Sequence, residues 1–160
     1  MIKSLVLKHG KVLILLAIIP ICAFKYSFHP KMGEQEWLQW SNKCLNESYD
    51  PSNETKLKAW ELSITPEHFL RLRKTFQHGK QEYFSLYLHA FNDLDYTGNT
   101  DHGSLQIKAA KDDIIVQTYD DPKGNVDSMA TSLELPVKNM QPERLDSLRS
   151  ALLFFKSGGL

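Results

Sequence analysis

Residues 82–91 read EYFSLYLHAF, and the fold turns on this run. Strict alternation puts Phe84, Leu86, Leu88 and Ala90 on one face of an extended strand. Tyr83, Ser85, Tyr87, His89 and Phe91 fall on the other. Both faces are partly apolar, so the strand is expected inside a sheet, with helices over one side. The second face carries rings at Tyr83, Tyr87, His89 and Phe91. Aromatic side chains are enriched at protein interfaces, which makes these four the candidate protein-binding residues.

Downstream, residues 92–103 (NDLDYTGNTDHG) read as a long polar loop. Ser104–Ala110 and Asp113–Tyr119 follow as two strands, joined by a tight turn at Lys111-Asp112 into an expected hairpin. Residues 120–125 make a second turn. Asp127–Leu135 reads as a further strand, with Met129, Thr131, Leu133 and Leu135 on one side and Pro136 ending it. Pro142 opens a last helix to about Lys156, with Leu145, Leu148, Leu152 and Phe155 on its apolar face.

Upstream, Glu34–Asn46 spaces Trp37, Trp40, Cys44 and Leu45 for a helix face, with Glu34 and Glu36 in the first turn. Cys44 is expected to be an inert core thiol. Residues 46–55 form a polar loop with two glycosylation-type triplets, at Asn46 and Asn53, that such a loop also produces by chance. Lys56–Ile64 alternates as a strand. Thr65-Pro66-Glu67 then resembles a helix start, and Phe69, Leu72 and Phe76 at i, i+3 and i+7 extend it to Gly79. The expected fold is α+β: a four-to-five-stranded, mainly antiparallel meander sheet with about three helices packed on it.

The chain begins as an address. Residues 1–11 carry Lys3, Lys8 and Lys11 without an acid, and Val12–Phe24 is apolar apart from Pro20. That is the layout of a signal peptide, with cleavage expected after Ala23, or of an N-terminal membrane anchor through residues 12–24 if uncleaved. The flanking lysines hold the N-terminus inside, so the domain faces outward. The expectation is an exported protein, periplasmic or single-pass in the inner membrane, with secretion as the alternative. Residues 24–33 serve as a linker and 34–160 as one domain.

The 160 residues carry 19 basic and 19 acidic side chains, which excludes a bulk basic nucleic-acid binder. Two cysteines exclude a disulfide scaffold. No phosphate loop, HExxH, GxSxG or CxxC occurs, so no catalytic residue, metal ligand or cofactor site is assigned. Asp93, Asp95 and Asp101 start a calcium-like spacing, but Ser104 stands where the closing glutamate belongs. With His102 they are the weak loop-site candidates, and with His89 the residues a small hydrolase would have to use. The expected function is therefore a non-catalytic protein-binding domain, such as an inhibitor or immunity-type protein. A hydrolase with an Asp/His site at 89–102 and a single-pass accessory subunit of an envelope complex stand as alternatives.

Overall fold

The structure, a computed structural model, describes residues 32–158. The expected signal or anchor segment, residues 1–23, and the linker as far as residue 31 lie outside the described residues. Among those described, no helix is long and apolar enough to cross a membrane.

The fold class is α+β, built from antiparallel sheet and two α-helices. α1 (Glu34–Ser48) leads into β1 (Leu57–Ile64), β2 (Phe69–Phe76) and β3 (Gln81–Tyr87). A 3₁₀ turn at Leu88–Ala90 passes the chain to β4 (Phe91–Gly98) and β5 (His102–Ala109). β6 (Ile114–Tyr119), β7 (Asp127–Ala130), β8 (Ser132–Lys138) and α2 (Pro142–Lys156) complete it. The strands form two sheets rather than one: β1-β2-β3-β6-β7 and β4-β5-β8.

The expected meander survives in a broken form. β3 runs into β4, β5 into β6, and β7 into β8, so three long ribbons lie side by side. Each crosses from one sheet to the other, at residues 88–90, 110–113 and 131. The alternation slips by one residue at every crossing. Leu86 and Leu88 are buried, then Phe91 and Leu94; Leu105, Ile107 and Ala109, then Ile114. The third ribbon buries Leu133, Leu135 and Val137 after partly burying Ala130. The slip lets both sheets turn their apolar faces onto one shared core.

Four local expectations are corrected. Thr65-Pro66-Glu67-His68 is not a helix start but the β1–β2 hairpin turn, closed by the His68 amide on the Thr65 carbonyl (2.9 Å), with His68 at φ 64°. Proline at the second turn position serves a turn as well as a helix. The 69–76 run then follows period two: Leu70 and Leu72 are fully buried while Arg71 and Arg73 are exposed. Residues 92–103 are mostly the β4–β5 hairpin, not a loop. The two strands around Lys111-Asp112 do not pair with each other: β5 pairs with β4 and β8, and β6 with β3 and β7. Neither residue has the positive φ that two-residue hairpin turns demand. Finally, 127–135 breaks at Thr131, and Pro136 sits within β8 opposite Ser104. Its carbonyl accepts the Asp50 amide on the outer edge (2.9 Å), the side where a missing proline N–H leaves no bond to β5 unmade.

α1 buries Leu38, Ser41, Cys44, Leu45 and Ser48, a face rotated slightly from the expected stripe, with Trp37 and Trp40 at its margin. α2 buries Leu148, Ala151, Leu152 and Phe155. Exposed strand edges invite foreign strands, and three of the four are sealed by the chain itself. The Asn42 side chain on α1 bonds both the amide and the carbonyl of Ile64 (2.7 and 2.9 Å), and Asn46 Nδ2 bonds the Leu62 carbonyl (2.9 Å). Tyr49 bridges to Val137 on β8. On β4, Leu94 gives its amide to Asp93 and takes Arg149 on its carbonyl. β7, the fourth edge, is four residues long.

Candidate functional site

Because both sheets turn inward on one core, each keeps an outer face, and the two differ in chemistry. The three-stranded sheet shows Asp93, Asp95 and Thr97 on β4, Ser104, Gln106 and Lys108 on β5, and Ser132 and Glu134 on β8. These groups largely satisfy one another. Lys108 pairs with Asp95, Ser104 Oγ donates to Glu134 (2.6 Å), and Arg149 pairs with Asp93 (2.5 Å).

The five-stranded sheet pairs part of its polar groups, Gln117 Nε2 donating to Asp127 (3.2 Å) and Tyr119 to Gln117 (2.9 Å), and sets large apolar side chains among them. Two rows cross its outer face: Glu61, Arg73, Tyr83, Gln117 and Asp127, then Ser63, Arg71, Ser85, Ile115 and Met129. Tyr87 lies beside Phe69 with stacked rings 4.8 Å apart, and His89 leans on Tyr87 at 4.7 Å. Tyr119 extends the surface beyond Gln81. Of the exposed large hydrophobic side chains, Tyr87, Ile115, Tyr119 and Met129 belong to this one face, at 44%, 36%, 47% and 53% exposure. Such a concentration on one side of a small domain is unlike the scattered apolar residues of an ordinary surface.

Of the four expected docking residues, Tyr83 and Tyr87 stand on this face and His89 at its rim. Phe91 does not: it is 1% exposed, because the 3₁₀ turn and the bulge after it reverse the alternation and swing its ring into the core. Ile115, Tyr119 and Met129 were not among the expected residues. The signal for Ile115 and Tyr119 lies in the alternation of residues 114–119 and that for Met129 in residues 127–130, but they share an outer face only through the pairing of β6 with β3 and β7.

Asp93, Asp95, Asp101 and His102 do not converge. Asp93 and Asp95 lie on extended β4, each engaged by a cation, and the amide of Leu94 with the Arg149 guanidinium holds the Asp93 carboxyl below its usual range. Asp101 and His102 sit across the hairpin turn, about 10 Å further along the strand direction. There His102 faces Asp50 at 3.6 Å, and His89 is on the other sheet's rim. Acid–base chemistry needs these groups within hydrogen-bond reach of one reacting atom, and the hairpin holds them apart. Among the described residues, no cluster of three or more His, Cys, Asp or Glu side chains has metal-binding geometry.

Cys44 lines a groove of about 390 Å³ between α1 and α2 with Trp40, Glu47, Glu143 and Arg144. Its Sγ takes a hydrogen bond from Arg144 Nε at 3.2 Å, and Arg144 also bonds the Cys44 carbonyl and Glu47. Burial nevertheless wins, pushing the thiol above its usual range against the pull of Arg144. A thiol so held is a poor nucleophile. No family model, curated protein or solved structure matches the chain.

Proposed function

We propose that the domain is an exported, non-catalytic protein-binding module that docks its partner on the outer face of the five-stranded sheet. The observation that carries this is the contrast between two outer faces of one fold. One is polar and internally paired; the other displays Tyr83, Tyr87, Ile115, Tyr119 and Met129 beside Arg71 and Arg73. Tyr, Met and Arg are the residue types enriched at interface cores, and Tyr and Arg are frequent hot spots. The export half of the reading rests on the basic start and apolar run of residues 1–24. An inhibitor or immunity-type role, or a subunit role in an envelope complex, both use such a face.

Size bounds the affinity. Five strands about 4.8 Å apart and some six residues of about 3.3 Å give a face of roughly 20 by 20 Å. That is at the small end for a stable interface, so affinity is expected in the micromolar range unless the partner also reaches the rim. The test is site-specific photocrosslinking of the full-length protein in its own cells. A crosslinker at Tyr87, Ile115 or Met129 should yield one shared adduct, and one at Gln106 or Glu134 should not. Equal yields from both faces, or none from the first, would overturn the proposal.

A further inference from the structure

The docking face is not uniformly apolar. Its β1–β2 side carries two arginines, Arg71 and Arg73, beside the acids Glu61 and Glu67, and the arginines are loosely answered. Arg71 and Arg73 are both exposed. Among the described residues Arg71 has no carboxylate within ion-pair distance; its guanidinium lies over the Phe69 ring, 5.1 Å from the centroid. Arg73 has Glu61 at 3.8 Å, with 54% and 76% of the two side chains exposed, a loose pair of little energetic weight. Glu67, in the β1–β2 turn, feels Arg71 only weakly, after its stronger hydrogen bonds to Thr65 and its own backbone. The domain as a whole is acidic, with 14 basic and 19 acidic side chains over residues 32–158. Two underemployed arginines on an acidic domain are a local exception.

Two hollows flank this pair. One, of about 160 Å³, is lined by Glu61, Ser63, Thr65, Arg71, Arg73 and Tyr83. Ser85, small and buried, stands opposite Arg71 in the register. The other, of about 220 Å³, is lined by Arg73, Gln81, Tyr83 and Tyr119. Arg73 and Tyr83 are direct cross-strand neighbours and form the wall between the hollows. The Tyr83 hydroxyl has no hydrogen-bond partner among the described residues, while Tyr119 donates to Gln117 (2.9 Å). Each hollow presents guanidinium and hydroxyl donors, and the first also holds Glu61, the carboxylate 3.8 Å from Arg73.

We infer that the partner offers an acidic segment, two of whose carboxylates enter these two hollows, one on Arg71 and one on Arg73 and Tyr83. This rests on the docking face proposed above and names the chemistry of its occupant. Planar guanidinium forks match carboxylates with two parallel hydrogen bonds. Arg71 and Arg73 are two positions apart on one strand, about 6.6 Å, the spacing of acids at i and i+2 in an extended segment. A nucleic-acid strand is disfavoured: two arginines answer too few phosphates on an otherwise acidic domain.

The probe is a fluorescein-labelled peptide, GETETG, titrated into the full-length chain in detergent and followed by anisotropy, beside its glutamine counterpart GQTQTG and an eight-residue oligothymidylate. The expected result is saturable binding of GETETG that weakens about tenfold in Arg71→Gln and in Arg73→Gln, weakens with added salt, and is absent for GQTQTG. Tyr83→Phe, which removes one hydroxyl and cannot disturb the core, should weaken it by a smaller factor. Equal binding of both peptides, or no binding of either, overturns the carboxylate assignment while leaving the docking face to be decided by crosslinking. Tighter binding of the oligothymidylate overturns it in favour of phosphate. Self-association of the chain that disappears in the arginine variants overturns it in favour of a second copy.

Discussion

Replacing Asn42 by alanine tests whether α1 seals the edge of β1 or merely lies near it. The Asn42 amide makes two hydrogen bonds to one residue, Nδ2 to the Ile64 carbonyl at 2.9 Å and Oδ1 from the Ile64 amide at 2.7 Å. It imitates the next strand. Alanine leaves both backbone groups without a protein partner, and each orphaned buried group costs about 1–3 kcal/mol. The site is part-buried, so water answers some of the loss, and alanine returns about 0.6 kcal/mol of helix propensity. The net expectation is about 2 kcal/mol. For a domain of this size, with an unfolding entropy of roughly 0.27 kcal/mol/K, that lowers Tm by about 7 °C. Trp60 on β1, with Trp37 and Trp40 on the α2 side of α1, makes tryptophan fluorescence during urea or thermal unfolding a readout of the fold's stability. Two neighbours calibrate the result. Asn46→Ala loses one bond to β1, at the Leu62 carbonyl, and should cost about 1 kcal/mol. Lys43→Ala loses only an exposed 3.9 Å pair with Glu47 and should cost close to nothing. If Asn42→Ala lowers Tm by under 2 °C, or costs no more than Lys43→Ala, the edge-sealing argument is wrong.

Other outcomes follow from the same structure. Tyr49 is buried and donates to Glu54 Oε1 at 2.6 Å; burial first, then that bond and charge, push its phenol well above the usual range. Its stability contribution is complete below the unfolded phenol's pKa near 10 and is lost as pH rises beyond it toward the folded value, so wild type should show an alkaline drop that Tyr49→Phe blunts in a pH series of melts. Cys44 should resist a thiol reagent in the folded protein and react at the ordinary rate in urea; labelling at equal rates would place the thiol at the surface. Gly103→Ala puts a methyl group where the Tyr96 ring and hydroxyl lie, breaking the bond from that hydroxyl to the Asn99 carbonyl, and should cost about 1–3 kcal/mol by chemical unfolding. Tyr87→Ser and Met129→Ser, by contrast, should leave Tm within about 1–2 °C, since an open face owes little to the core; a large fall would mean these side chains are structural.

How much of this was legible in the sequence depended on the range of the interactions. α2 was readable at full length because proline at its first turn and the spacing of Leu148, Leu152 and Phe155 are local signals that the core then honours. The residues 65–76 were not, because two periods coincide there. Phe69, Leu72 and Phe76 satisfy a helix, while Leu70 and Leu72 against Arg71 and Arg73 satisfy a strand, and pairing with β1 and β3 decides between them. Residues 92–98 looked like a loop because only Leu94 and Tyr96 mark an inner face; Asp93 and Asp95 looked available because their partners, Arg149 and Lys108, are 56 and 13 residues away. Asn46 shows the same effect of range: grouped by its neighbours with a polar loop, it lies in the last turn of α1, where its amide nitrogen holds the Asn42 and Leu62 carbonyls.

The proposed docking face follows from where the ribbons break. Along the first ribbon the outward residues are Tyr83, Ser85 and Tyr87 before the turn, and Asp93, Asp95 and Thr97 after it. Along the second they are Ser104, Gln106 and Lys108, then Ile115, Gln117 and Tyr119. The slip at 88–90 and 110–113 keeps the inner faces continuous, so the core does not distinguish the two sheets. The outer faces change character at the same line, from charged and paired to aromatic and open. Core packing cannot demand that change, because none of those side chains reaches the core. Solubility argues against it, since exposed rings on a flat sheet favour association. A surface that stability does not require and solubility opposes is what the proposed docking partner would cover, and the two arginines beside the rings would set the sign of the charge it brings.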